Sequence, residues 1–363
     1  MKKSNPSCII MAGGKGTRFW PLSRNKKPKQ LLSLVNKKSL LENTIDRVKS
    51  TFTPKNTYVV TGRNISTLIK KSLSAYKNIN VIEEPVGRNT APCIGYMAFK
   101  LSHQKGSDNI MVIMPADHLI SNKRKFIEVL KLGIKIASKE DKLVTIGIKP
   151  RSPHTGYGYI EKAAKLMAYP SKVFSVKKFH EKPSNSNAKK YYSSSKYLWN
   201  SGIFIVKAGV IKQGIKKHMP ELYVGLNEIA QSFGKKDELI KFQQKFSKLP
   251  AESIDYGLIE KLQQIFTIES DMDWNDIGSW NSFSEIFKNT GHDYSNTKNF
   301  LAVNSKKTIL HVSNKKKLVV TLGTDNLIIV DTPDVLFISN KDDDQKIKDV
   351  VEKLKQKNMK AYL

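Results

Sequence analysis

Two kinds of residue in this chain could do chemistry: a glycine-rich cationic turn near its start, and carboxylates placed far apart along it. Ala12-Gly13-Gly14-Lys15-Gly16-Thr17-Arg18 follows the apolar run Cys8-Ile9-Ile10-Met11, and Pro28-Lys29-Gln30 comes soon after. A buried strand entering such a turn lets main-chain N–H groups converge on phosphate oxygens, while Lys15, Arg18 and Lys29 add positive charge at the same place. This is the composition of a polyphosphate site. It is not a Walker A loop, which ends in Gly-Lys-Ser/Thr, nor a dinucleotide fingerprint, which needs a third glycine where Phe19 stands. Of the carboxylates, Asp117 follows the strand-like run Ile110 to Met114 within Pro115-Ala116-Asp117-His118. Asp276 sits in Trp274-Asn275-Asp276-Ile277-Gly278. Hard oxygen ligands of this type suit Mg²⁺, which keeps several waters and takes one or two carboxylates plus substrate phosphates. The plain alternatives are a helix N-cap for Asp117 and a turn residue for Asp276.

Further segments carry binding chemistry. Glu83-Glu84-Pro85-Val86-Gly87-Arg88-Asn89-Thr90-Ala91-Pro92 runs from a strand end into a helix at Ala91, with Thr90 placed as its N-cap; polar groups there can read a base edge. Thr155-Gly156-Tyr157-Gly158-Tyr159 offers close backbone approach between aromatic walls. Phe179-His180-Glu181-Lys182-Pro183 supplies a carboxylate and an ammonium on adjacent residues, and Trp199-Asn200-Ser201-Gly202 an amide. Carboxylate and amide can bind vicinal hydroxyls, while the ammonium neutralises a phosphate. His180 reads as packing.

The long form Gly-Gly-x-Gly-x-Arg, with Pro21-Leu22-Ser23-Arg24 and Pro28-Lys29-Gln30, resembles the signature of sugar-nucleotide pyrophosphorylases, and specifically of mannose-1-phosphate guanylyltransferases. The resemblance covers nearly the whole chain. It implies transfer of GMP from GTP to α-D-mannose 1-phosphate, with Lys15, Arg18, Lys29 and Asp117 as catalytic residues and Mg²⁺ held by Asp117 and Asp276. Ala12, Gly13, Gly14, Gly16, Thr17, Pro85, Gly87, Arg88, Asn89 and Thr90 would line the nucleotide pocket. Gly156, Glu181, Lys182 and Asn200 would take the sugar phosphate. Ala251-Glu252-Ser253-Ile254-Asp255 matches a family segment that reads as a capped helix behind the sugar. Longer bifunctional relatives append an isomerase domain beyond the point where this chain stops, so that second activity is expected to be absent. Relatives are commonly dimers, and a homodimer is expected here. The alternatives are a pyrophosphorylase for glucose 1-phosphate with UTP or dTTP, and a non-catalytic GDP-mannose-binding homologue. Ser23 and Gln30 match the mannose-specific group, and intact phosphate and metal ligands argue against a silent homologue.

The elements that must position these residues are legible as alternating strand and helix signals. Buried-strand runs occur at Cys8 to Met11, Thr57 to Thr61, Ile79 to Ile82, Ile110 to Met114 and Leu143 to Ile148. Between them Ile65, Leu68, Ile69 and Leu73, and then Phe126, Val129, Leu130, Ile134 and Ala137, fall on single helical faces. The pattern predicts an α/β fold, a Rossmann-like mostly parallel sheet with helices on both faces and ligands at the carboxyl ends of its strands. After Ile286 short strands with Asn and Lys turns predict a small C-terminal β domain, which the family resemblance likens to a left-handed β-helix, closed by an amphipathic helix bearing Ile347, Val350, Val351 and Leu354. The domain division is placed at 1–287 and 288–363.

A chain of 363 residues with 39% hydrophobic content can bury a sizeable core. No apolar run approaches the roughly 18 residues of a membrane span, and no signal-peptide core is visible, so a cytoplasmic protein without membrane attachment is expected. Cys8 and Cys93 offer neither a disulfide framework nor a metal spacing. The net charge of +30 invites a nucleic-acid reading, but only seven of the 62 basic residues are arginine, the usual bidentate reader of phosphate and guanine. No specific nucleic-acid partner is expected.

Overall fold

The structure is a computed structural model and describes residues 5–14, 16–169, 172–263, 265–287 and 294–363. Two compact units emerge from the pattern of contacts: one gathers the chain up to Gly13 with Ile45–Ala116 and Ile120–Trp274, the other Gly14–Thr44, Asp117–Leu119 and Asn275–Leu363. This division does not follow the boundary at residue 287. The second unit takes the phosphate-loop segment and Asp117 together with the C-terminal strands.

The first unit is built on a nine-stranded sheet. Its strands are β1 (Ser7–Met11), β2 (Thr57–Gly62), β3 (Asn80–Glu84), β4 (Ile110–Pro115), β5 (Val144–Ile148), β6 (Tyr159–Lys165), β7 (Val173–His180), β8 (Tyr197–Lys207) and β9 (Phe266–Ser270). Their spatial order is β3-β2-β1-β4-β8-β5-β9-β7-β6, with a further pairing of β8 and β6. The first four run parallel, as their hydrophobic runs and intervening helices predict. Antiparallel pairing enters through β8, which lies between β4 and β5 and opposes both, and through the β6–β7 pair. The sheet is therefore mixed. Alternation along β8 covers both faces: Phe204 and Val206 join the cluster of the helix Thr90–Lys105, whereas Ile205 and β9's Ile268 approach Gly133 of the helix Lys123–Lys139.

At the carboxyl edge of the parallel strands the backbone is tied strand to strand. Ala12 N–H donates to Val60 O at 2.8 Å, Ala116 N–H to Met11 O at 3.0 Å, and the Thr61 hydroxyl to Ala12 O at 3.1 Å. Glu84 ends β3 with only 6% of its surface exposed. The Cys93 thiol donates to its carboxyl, but burial dominates and pushes the acid up to about 7. Its Oε1 has no partner among the described residues. A Cβ on Gly13 would lie 3.7 Å from its Oε2, so the carboxyl faces the entrance of the glycine turn.

The second unit has its own core. Phe19, Trp20, Leu32 and Leu40 from the early segment pack with Trp280, Phe283, Ile309, Ile328, Val330, Ile347 and Val351. The Phe19 and Trp280 rings stand 5.1 Å apart, and Trp20 Nε1 donates to Tyr362 O at 2.7 Å. Arg24 forks onto both oxygens of Asp334 at 2.6 and 2.8 Å. The strands here are β10 (Phe300–Val303), β11 (Ile309–Val312), β12 (Val319–Leu322), β13 (Leu327–Asp331) and β14 (Leu336–Asn340). β10 pairs parallel with β12 and β11 with β13, at the same sequence offset, as successive coils of a β-helix do; β14 adds antiparallel to β13. The amphipathic helix Ile347–Gln356 closes the unit. No helix among the described residues is long and apolar enough to cross a membrane.

Two expectations follow. Phe19→Ala removes a fully buried ring from the second core and is expected to lower unfolding free energy by about 3 to 5 kcal/mol, read by denaturant titration. The Glu84 carboxyl is raised in the folded state, so its contribution is fully present below the unfolded value near about 4.3 and is lost as pH rises through 7. Wild-type stability should therefore fall by up to about 3 kcal/mol relative to Glu84→Gln between pH 4.5 and 8, and parallel pH profiles for the two proteins would remove this assignment.

Candidate active site

The phosphate-loop candidates divide between the units. Ala12 and Gly13 close β1 in the first, with Ala12 buried and Gly13 exposed; Gly14, Gly16, Thr17 and Arg18 open the second. Lys15 lies outside the described residues. Thr17–Phe19 forms a single 3₁₀ turn that holds Phe19 in the core and leaves Arg18 exposed. Gly16 has a left-handed φ of +62°, and a Cβ there would run into Lys29 Cβ, so only glycine lets these two segments touch. Ser23 Oγ fixes the turn by donating to Gly16 O at 2.5 Å.

Lys29 is the centre of this half-site. It begins the 3₁₀ turn Lys29–Leu31, with 7% of its side chain exposed. Its Nζ donates to Asp117 Oδ2 and to the main-chain oxygen of Asp276, each at 2.8 Å. Three residues distant in sequence thus meet within the second unit. Burial opposes the Asp117 charge, but the Lys29 ammonium and His118 outweigh it and hold the carboxyl below the usual range. Asp117 is not a helix cap, since Asn122 caps the helix Lys123–Lys139. Asp276 does make a turn: its Oδ1 accepts from Gly278 N–H at 2.9 Å, and that turn presents its carbonyl to Lys29. Among the described residues no cluster of three or more His, Cys, Asp or Glu is placed to hold a metal.

The segment after β3 is largely committed to its own architecture. Pro85 is half-buried and Gly87 exposed. Arg88 donates through Nη2 to the Ser247 carbonyl. The helix cap is Asn89, not Thr90: its side chain accepts from Thr90 N–H at 2.9 Å, with its backbone at a φ of +65°. Thr90 Oγ1 instead accepts from Ile254 N–H at 2.9 Å.

The sugar-phosphate candidates lie within the first unit. The β5–β8 ladder slips between Thr145 and Gly147, with Gly202 at φ +68° in the extra backbone of β8, and Asn200 pairs with Gly147 just beyond the slip. Asn200 Nδ2 donates to Asp255 Oδ1 at 3.3 Å, and its Oδ1 accepts from Gly202 N–H at 3.1 Å. Glu181 stands alongside: a Cβ on Gly158 would lie 2.5 Å from Glu181 Oε2 and 3.6 Å from Asn200 Cβ. Gly158, not Gly156, therefore abuts the carboxylate and the amide. Gly156 is exposed and donates its N–H to His154 Nδ1 at 3.1 Å. Lys182, at a left-handed φ of +43°, extends outward and pairs with Glu181 Oε1 at 3.1 Å. Burial, with Asp255 adding like charge, pushes the Glu181 carboxyl up; burial does the same to Asp255. Tyr157 forms a wall, stacked on His154 at 4.0 Å and edge-on to Trp199 and Trp274 at 4.9 and 5.3 Å. His180 bonds to Glu161 and Tyr191, a packing role.

Three residues escaped the sequence reading of the site. Gly158 was quoted beside Gly156, but periodicity does not tell which glycine meets a side chain across the sheet. Asp255 read as part of a capped helix, and it is one: Ser253 caps the four-residue helix Ile254–Gly257. Glu84 was quoted within the segment Glu83 to Pro92, but a carboxylate beside a proline gives no sign of burial.

Comparison with known proteins agrees with this geometry. The family model described as nucleotidyl transferase matches residues 7–292, and that described as MannoseP isomerase/GMP-like beta-helix domain matches residues 298–354. A mannose-1-phosphate guanylyltransferase of Salmonella muenchen is 36% identical over 98% of this chain and 74% of its own length, and one of Escherichia coli is 33% identical over 98% and 75%. A crystal structure from Thermus thermophilus, named mannose-1-phosphate geranyltransferase, superposes with a TM-score of 0.84 at 27% identity, covering 97% of this chain and 99% of its own. A glycine loop with a Lys–Asp pair, and a mixed sheet bearing a cluster of Glu181, Asn200 and Asp255, are thus accompanied by likeness over almost the whole chain, and the chain belongs to the nucleotidyl transferase family, among the mannose-1-phosphate guanylyltransferases.

Proposed function

We propose that this chain transfers GMP from GTP to α-D-mannose 1-phosphate, forming GDP-mannose and pyrophosphate. The observation that carries the reading is Lys29, whose ammonium joins the Asp117 carboxylate to the main-chain oxygen of Asp276 in the unit that also holds the glycine turn. The attacking group is a phosphate oxygen of the sugar phosphate, anionic at neutral pH, so no general base is required. Catalysis then rests on positioning and on neutralising charge at the α-phosphate and on departing pyrophosphate. Lys15, Arg18 and Lys29 supply that charge; two Lys29 protons hold Asp117 and Asp276, and the third is available to a phosphate oxygen. The ionised Asp117 and the Asp276 carboxylate are hard donors of the kind Mg²⁺ takes, and a set of only two suits an ion that completes its shell with phosphates and water. Bound Mg²⁺ would supply charge stabilisation at the transferring phosphate. Glu181, Asn200 and Lys182 would orient the sugar phosphate, with Asp255 fixing the Asn200 amide, and Gly156 would complete that set. Ala12, Gly13, Gly14, Gly16 and Thr17 would cradle the phosphates, and Pro85, Gly87, Arg88, Asn89 and Thr90 would shape the base side.

The assembly proposed is a homodimer. Leu301 pairs in register with Val320 and Val303 with Leu322 across β10 and β12, and Leu301, Leu318, Val320 and Leu322 are each more than half exposed. An apolar sheet face of this kind marks an interaction surface. A cytoplasmic location is part of the reading, with Cys8 and Cys93 as buried free thiols. Specific nucleic-acid binding is not.

Pyrophosphate release measured over a matrix of nucleoside triphosphates and sugar 1-phosphates with Mg²⁺ should show strong preference for GTP with mannose 1-phosphate; a different best pair replaces the substrate assignment. In the same assay Asp117→Asn should lower turnover at least about a hundredfold while circular dichroism stays unchanged. Leu301→Glu with Leu322→Glu should convert a dimer into a monomer by light scattering, and a monomeric wild type would refute the proposed surface.

A further inference from the structure

We propose that the basic cleft at the carboxyl ends of β5 and β9 is a second anion site, built for a ligand that carries a diphosphate group. The cleft lies wholly within the first unit. It consists of two adjoining hollows, of about 590 and 930 Å³, that share Lys149, Pro150, Lys172, Tyr192 and Glu269. Volumes of this order are those of ligand pockets. Lys149 and Pro150 leave the sheet where β5 ends, β6 brings Lys162 and Lys165, β7 brings Phe174, and Tyr192 closes the helix Asn185–Tyr192. No residue placed in the phosphate, metal or sugar sets lines either hollow, so GMP transfer does not account for the cleft.

The chemistry of the occupant follows from the lining. Six cations, Lys125, Lys149, Arg151, Lys162, Lys165 and Lys172, stand against two carboxylates, Glu269 and Asp271. The whole chain is basic, but its 62 basic to 32 acidic residues make about two to one, where the cleft has three to one. The floor is also organised. Glu269, with 15% of its side chain exposed, takes Lys162 Nζ at 2.7 Å and Lys172 Nζ at 3.2 Å, and Lys162 Nζ lies 4.6 Å from the centre of the Phe174 ring. Burial opposes the Glu269 charge, but the two ammonium groups outweigh it and hold the carboxyl below its usual range. One carboxylate thus orients two lysines, and each ammonium keeps protons for a ligand. Arg151 is held only loosely, 3.7 Å from Asp271 and from Asp273. A single phosphate brings at most about two negative charges, which leaves much of the cationic excess unmet, whereas a diphosphate meets it. Tyr192, 47% exposed, and Tyr197 add aromatic faces beside the cations, on which a ring attached to the diphosphate can rest. Two sources share this chemistry, inorganic pyrophosphate and a nucleoside diphosphate.

The test is calorimetry with pyrophosphate, GDP and orthophosphate on wild type, on Lys149→Glu with Lys165→Glu, and on Lys235→Glu with Lys236→Glu. The last pair changes net charge equally at exposed lysines outside the cleft. Wild type should take up one more equivalent of pyrophosphate or GDP than the cleft variant, and the control pair should match wild type. At the cleft, pyrophosphate should bind at least about tenfold more tightly than orthophosphate. Equal uptake by wild type and the cleft variant overturns the proposal, as does a control pair that loses as much, or orthophosphate that binds as tightly as pyrophosphate. GDP tighter than pyrophosphate identifies a nucleotide as the occupant; GDP no tighter identifies the inorganic ion. Because the site is read as a difference between two proteins, failure of the GMP-transfer reading leaves this result standing. If the cleft variant folds poorly, acetylation of lysines in wild type decides: pyrophosphate should protect Lys149 and Lys172 but not Lys235, and equal labelling with and without pyrophosphate overturns the site.

Discussion

The buried ammonium of Lys29 is the constraint on which the candidate site depends. Taking a lysine head group out of water is expensive unless strong acceptors surround it, and here a carboxylate and a main-chain carbonyl both lie at 2.8 Å. The neighbouring features of the second unit follow. Gly16 must lack a Cβ because Lys29 passes against it. The Asp276 turn must expose its carbonyl, which the Gly278 N–H secures. Phe19 sits 5.8 Å below the ammonium and anchors the turn in a core shared with Trp280. Asp117 in return stays ionised despite its burial, which is what a hard metal ligand requires.

The first unit solves a different problem, the placing of two carboxyls close together with few cations. Burial raises both carboxyls, with Asp255 adding like charge at Glu181, and the exposed Lys182 offsets part of the rise at each. Such a pair is costly to bury but well matched to sugar hydroxyls, which donate without bringing charge. The bulge in β8 and the close approach at Gly158 are the backbone devices that bring the two side chains to Asn200.

Much of this was legible in the sequence because it is local. The glycine turn, the Pro-Lys-Gln segment and the strand ends could be recognised from consecutive residues, and the parallel strands from their apolar runs. What was not legible depends on partners distant in the chain. The run Ile203 to Val206 reads equally well as a parallel or antiparallel strand, and only its neighbours β4 and β5 decide. That the early segment packs with the C-terminal strands is a choice made by Phe19, Trp20 and Leu40 through tertiary contacts. Asn89 rather than Thr90 caps its helix because Thr90 is drawn to Ile254, more than a hundred residues away.

The central claim, that Lys29 and Asp117 work as one unit, is tested most directly by a double-mutant cycle on kcat/KM with Lys29→Met, Asp117→Asn and the pair. Residues that act together lose most of their effect at the first substitution. The account predicts that the double variant is scarcely slower than the worse single variant, a coupling of at least about 2 kcal/mol. Losses that simply add would show that the 2.8 Å contact has no part in the reaction.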